Sequence, residues 1–172
     1  MPIYSLFEKT PQIASTVYIH PEAVIIGDVR IADHASIWPC AVLRGDSSYI
    51  SIGSETSIQD GTVIHCREQT PTIIGNRCVV GHNAHLEGCI ISDECLIGSG
   101  ATVLELVKVG TGTLVAAGAV INPGKQIPEF ALAMGVPVKI KENAFSKDSF
   151  KDSVENYLNL SEQFKKGLKR ID

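Results

Sequence analysis

Several things this 172-residue chain lacks narrow its reading at once. Its five cysteines (Cys40, Cys66, Cys78, Cys89, Cys95) form no CxxC pair and are odd in number. That pattern points to reduced thiols in a cytoplasmic protein rather than to a disulfide framework. No basic stripe appears, net charge is −4 and the sequence pI is about 5.7, which argues against nucleic acid as a partner. The longest apolar runs fall far short of the ~18 residues that a membrane span requires. The first residues, MPIYSLFEKTPQ, show no basic region followed by an apolar run, so no secretory signal is expected.

What is present is a period. Seventeen aliphatic residues recur in four runs: Ile19, Ile25, Ile31, Ile37, Leu43; Ile52, Ile58, Ile64; Ile74, Val80, Leu86; and Ile91, Ile97, Val103, Val109, Val115, Ile121. Within each run the step is six residues, and between runs it is nine, ten and five. Gly53, Gly75, Gly81, Gly98 and Gly110 directly follow repeat residues. This is the hexapeptide repeat of a parallel β-helix, in which a short strand turns one aliphatic side chain inward and a corner follows. Strands from every third repeat then stack, about 4.8 Å apart. With 44% hydrophobic residues, a single domain can fill the central column. The expected organisation is an N-terminal cap over 1–16, a β-helix over 17–127 with loops at 47–51 and 66–71, a linker over 128–145 and an amphipathic helix over 146–170. Phe150, Val154, Tyr157, Leu158, Phe164 and Leu168 recur at helical spacing, and Ser146 or Asp148 is a candidate cap. Such a terminal helix is expected to lie on its own solenoid or on a neighbouring subunit.

The same register places the polar residues. Leu43, Ile64, Leu86 and Val103 share one face, and the residues after them are Arg44, His65, Glu87 and Leu104. His65 and Glu87 are therefore stacked neighbours, with Arg44 one coil further along and Asp46 at the corner beyond it. On another face, Gln59 and Asp60 follow Ile58, and His82 lies one coil beyond Asp60. A histidine on a solenoid corner is ordinarily a solvated surface residue, and His20 and His34 are read that way. Two imidazoles and a carboxylate converging on one seam are a legitimate zinc ligand set. His82 is on a different face from His65 and Glu87, and the interior between them is aliphatic. They meet only if one subunit's face packs against another's, and three subunits about a threefold axis close that contact. Arg44 and Asp46 could form a simple ion pair, which at a subunit seam would orient the partners more than stabilise them. Cys66 and Cys89 lie near enough to be weighed as thiolate ligands.

Ser36-Ile-Trp-Pro39, Val42-Leu-Arg-Gly-Asp46, Ile58-Gln-Asp-Gly61, Val63-Ile-His65, Val80-Gly-His82 and Gly135-Val-Pro-Val-Lys139 together resemble the γ-class carbonic anhydrase family. The resemblance spans roughly residues 10–140 and implies a left-handed β-helix with a homotrimeric assembly. It implies Zn²⁺, or Fe²⁺ or Co²⁺, held by His65 and by the neighbour's His82. Gln59 would hydrogen-bond the metal-bound water, Asp60 would support the site, and CO₂ or bicarbonate would be the substrate. The family's usual third histidine falls at Glu87. His85, with the same strand parity but expected at the corner before Leu86, is the alternative ligand. The family's acidic proton-transfer loop is matched only by Glu68. An anionic Glu87 would make the water on the metal less acidic than a third histidine would, so weaker activity is expected. CoA-dependent acyl transfer with a histidine base and a non-catalytic trimeric scaffold are the alternatives.

Overall fold

In the computed structural model, which describes residues 1–172, each repeat residue forms part of a short parallel strand and points inward. Sixteen of the seventeen are buried, and Ile19 is half-buried against the same cluster. One face stacks Ile25, Leu43, Ile64, Leu86, Val103 and Ile121. A second stacks Ile31, Ile52, Ile74, Ile91, Val109 and Ile127. A third stacks Ile19, Ile37, Ile58, Val80, Ile97 and Val115. The result is a left-handed parallel β-helix of about seven turns.

The stack extends past both ends of 17–127. Ile3–Tyr4 and Gln12–Ile13 pair with the strand Val24–Ile31, so the first residues build the first coil rather than only covering it. At the other end, Leu132–Met134 continues the third face through Val115 and Ala133, and Lys139–Lys141 folds back antiparallel upon it.

One corner shows why this β-helix uses cysteine. Thr56, Cys78, Cys95 and Thr113 occupy successive coils there, and each is buried. Their side chains donate to the carbonyls of Gly75 (2.7 Å), Ser92 (3.1 Å), Gly110 (3.1 Å) and Pro128 (2.7 Å) respectively. A thiol is small and apolar but still a weak donor, so it fills the corner without stranding a polar group. Burial raises the Cys78 thiol well above its ordinary range.

The α-helix runs Lys151–Gly167, shorter than the 146–170 expected. Neither Ser146 nor Asp148 caps it: Phe150 is the capping residue and bonds through no side chain, while Ser146 and Ser149 close a turn on each other before it. Val154 and Ser161 are buried, and Tyr157 and Phe164 meet Trp38 edge-on, with ring centroids 5.7 and 5.1 Å apart. Tyr18 joins them 5.3 Å from Trp38. The Trp38 indole N–H donates to Ser36 (3.0 Å) and Ser57 (2.9 Å), so this one tryptophan is both apolar anchor and satisfied donor. The helix therefore covers the outer side of the third face. No helix of the chain is long and apolar enough to cross a membrane.

Candidate metal centre

The polar residues form two groups at opposite edges of the first face. In the first group Arg44, His65 and Glu87 stand in direct register on adjacent strands. His65 Nδ1 lies 3.2 Å from Glu87 Oε1, and His65 Nε2 lies 2.8 Å from Asp46 Oδ1. Asp46 reaches His65 because the chain bulges there. Gly27 pairs with Gly45 and Val29 with Ile50, so residues 46–49 stand opposite Asp28 alone. Asp46 also pairs with Arg44 and accepts the Ser47 N–H at 2.7 Å. Partial burial works against the charge on Asp46. The His65 and Ser47 hydrogen bonds, with the charges of His65 and Arg44, outweigh it and hold the carboxyl at about 2.

In the second group, His82 Nδ1 lies 2.9 Å from Asp60 Oδ2, which fixes the ring and leaves Nε2 outward. Both side chains are half-exposed. The corner before His82 is tight: a Cβ on Gly81 would meet Ser99 N at 2.7 Å and Ile97 O at 2.9 Å. Only glycine fits there, so the turn that presents His82 depends on it. Gln59 is turned under the helix and buried. Tyr157 lies beside it, and the phenol's pKa is raised by burial and by Asp60, with Gln59 opposing. Periodicity marked Tyr157 as a packing residue, and its hydroxyl becomes visible as a site neighbour only once the helix is docked.

Several expectations are corrected. His85 is not on a corner. It lies within the strand His85–Glu87, paired with Val63 and Thr102, and its Nε2 is 3.9 Å from Glu87 Oε2. Cys66 and Cys89 point into the core and are fully buried, and burial pushes the Cys89 thiol up to about 12, far from a thiolate. Arg67, which the sequence did not single out, extends from its loop to Glu105 and lies 3.7 Å from Glu87.

No three His, Cys, Asp or Glu side chains within one chain come together as a metal-holding group. The donor chemistry nevertheless suits a divalent cation. Two tetrahedral ligands at about 2.05 Å from zinc are ~3.3 Å apart, and His65 Nδ1 and Glu87 Oε1 already have that spacing, which a hydrogen bond shares. His82 is oriented by a carboxylate through one ring nitrogen, as metal-ligating histidines usually are.

The profile "Bacterial transferase hexapeptide (six repeats)" matches residues 10–45 and 71–105. A probable carbonic anhydrase of Methanocaldococcus jannaschii is 40% identical over 152 residues, covering 87% of this chain and 96% of its own. The chain belongs to the γ-class carbonic anhydrase-like family of hexapeptide-repeat proteins. The gamma carbonic anhydrase 2, mitochondrial, of Arabidopsis thaliana is 36% identical over 168 residues, and this chain spans 60% of its length. Among solved structures, a Bacillus cereus putative acetyltransferase superposes with TM-score 0.90 at 34% identity, covering 95% of this chain and 96% of that one. A hexapeptide transferase family protein from Anaplasma phagocytophilum gives TM-score 0.88 at 33% identity, over 95% and 98%. In this γ-carbonic anhydrase-like chain, the first group centres on His65 and the second on His82.

Proposed function

We propose that this protein catalyses the reversible hydration of CO₂ to bicarbonate and a proton at metal sites shared between the subunits of a homotrimer. The observation that carries the reading is the division of the donors. His65 and Glu87 are side by side at one edge of the first face, while His82, held by Asp60, faces outward at the other. One subunit's His65 and Glu87 and a neighbour's His82 would hold Zn²⁺, with Fe²⁺ or Co²⁺ as alternatives. The cation supplies the Lewis acidity that makes water reactive at neutral pH. Asp60 keeps the His82 ring turned so that Nε2 faces outward. Gln59 would hydrogen-bond the attacking water. Arg44 and Asp46 hold the His65 ring at the seam. Glu87 takes the third ligand position ahead of His85 because it is the residue in register with His65. The carbonic anhydrase names carried by relatives at 36 and 40% identity support this activity. Five free thiols, four of them buried, fit a reducing compartment such as the cytoplasm.

Stopped-flow measurement of CO₂ hydration on zinc-reconstituted protein tests it. A rate above buffer that disappears in His65→Ala is expected, and a rate equal to buffer at full zinc occupancy contradicts it. Sedimentation equilibrium should give a trimer, and a monomer at micromolar concentration would remove the shared site. A second reading is acyl transfer from a CoA thioester, favoured by the acetyltransferase description of a structural neighbour and by the Asp60–His82 pair, which has the form of an oriented general base. Turnover of acetyl-CoA with a panel of amines would support that reading over CO₂ hydration.

A further inference from the structure

We propose that Arg67 is a positioning residue for the metal site, which orients Glu87 as a ligand while Glu105 anchors it. The inference rests on the metal-site reading above and goes beyond it, because it assigns a role to a loop residue outside the ligand set. The guanidinium pairs with Glu105, and its Nε lies 3.7 Å from Glu87 Oε1, the oxygen that faces His65. Its backbone is fixed as well. Arg67 N donates to Thr70 O at 3.1 Å and Thr70 N to Arg67 O at 3.0 Å, closing the loop between His65 and Thr72 into a short hairpin. Thr72 then ties the same corner together: its hydroxyl donates to the His65 carbonyl and accepts the Gly88 N–H at 2.7 Å. The two residues that would ligate the cation thus flank a corner clamped by a single loop.

A half-exposed ion pair alone contributes little to stability. Arg67 differs from such a pair in what it touches. Glu87 has three rotatable side-chain bonds where a histidine has two, so it needs outside contacts to hold one geometry. It also brings a negative charge to a position that a neutral imidazole would otherwise fill. A planar fork anchored on Glu105 and directed at Glu87 answers both needs: it limits the rotamers of the carboxylate and offsets its charge while the cation is absent. Glu105 is placed for this by the repeat, two residues past Val103 on the first face and one coil beyond Glu87.

The test is metal affinity, measured on the trimer by competition with a chromophoric zinc chelator. Outer-shell partners of ligands typically contribute 10–100-fold to metal affinity, so Arg67→Ala should weaken zinc binding about tenfold or more without changing the melting temperature or assembly. Glu105→Ala should reproduce most of that loss. In a Glu87→His background, Arg67→Ala should have no further effect, because its influence runs through the carboxylate. Wild-type affinity or tighter binding in Arg67→Ala, or an equal penalty in the Glu87→His background, would overturn the proposal while leaving the metal site standing. If the wild-type trimer takes up no zinc, the metal-site reading falls and this proposal falls with it.

Discussion

Replacing Ile97 tests the inward register at its centre. Ile97 is fully buried on the third face, between Val80 and Val115 of the adjacent coils. Truncation to alanine removes apolar contacts and leaves a cavity, at a cost of about 2–5 kcal/mol. With a urea slope of about 1–3 kcal/mol per molar, that lowers the unfolding midpoint by roughly 0.7–5 M. Ile97→Asp loses the same contacts and also buries a carboxylate with no partner in the surrounding aliphatic column. The added several kcal/mol bring the total into the range of a whole domain's net stability, about 5–15 kcal/mol. Ile97→Ala should therefore fold with a lowered midpoint, whereas Ile97→Asp should fail to form the coil. Lys108→Asp, an exposed change beside the repeat residue Val109, is the control and should shift stability by less than about 0.5 kcal/mol. Circular dichroism during urea titration reads all three. An Ile97→Asp protein that melts within a few degrees of wild type would refute the register.

Two further predictions concern the site. Asp46 has a depressed folded-state pKa, so its stabilising effect is fully present above the unfolded carboxyl value of about 3.9 and is lost as pH falls through about 2. The difference in urea midpoint between wild type and Asp46→Asn should be largest near neutrality and shrink across that acid window; a difference that grows on acidification contradicts the assignment. Glu87→Ala should lose most bound metal, as read by elemental analysis of the purified trimer, while His85→Ala should keep it, and the reverse pattern would make His85 the ligand.

The fold was legible because a six-residue step has only one economical solution, and every inferred stacking partner from Ile37 to Ile97 and from Leu43 to Val103 is a paired neighbour. The same arithmetic placed His65 beside Glu87 and Asp60 beside His82. The ends were harder to read. Ile13 lies six residues before Ile19, and Ile127 and Ala133 continue the step past Ile121, but a lone isoleucine or an alanine is a weak sign of a core position. Contacts made by insertions were not legible. Asp46 turns to His65 only because residues 46–49 bulge from the ladder, and Arg67 reaches Glu87 and Glu105 from a loop whose length, but not path, shows in the spacing. Tyr157 comes to lie near Gln59 and Asp60 only because Trp38 and Tyr18 give the helix a place to dock. Repeats encode register, whereas loops and docked elements depend on contacts far apart in the chain.

In the proposed trimer each site takes His65 from one subunit and His82 from the next. This sharing is tested most directly by coexpressing His65→Ala and His82→Ala chains and measuring metal in the mixed trimers. Each variant alone should hold almost none. A mixed trimer contains one interface where an intact His65 meets an intact neighbouring His82, so the account predicts recovery of one metal site per mixed trimer. A site formed within a single chain would not be restored by mixing, and mixed trimers as empty as the parents would contradict the account.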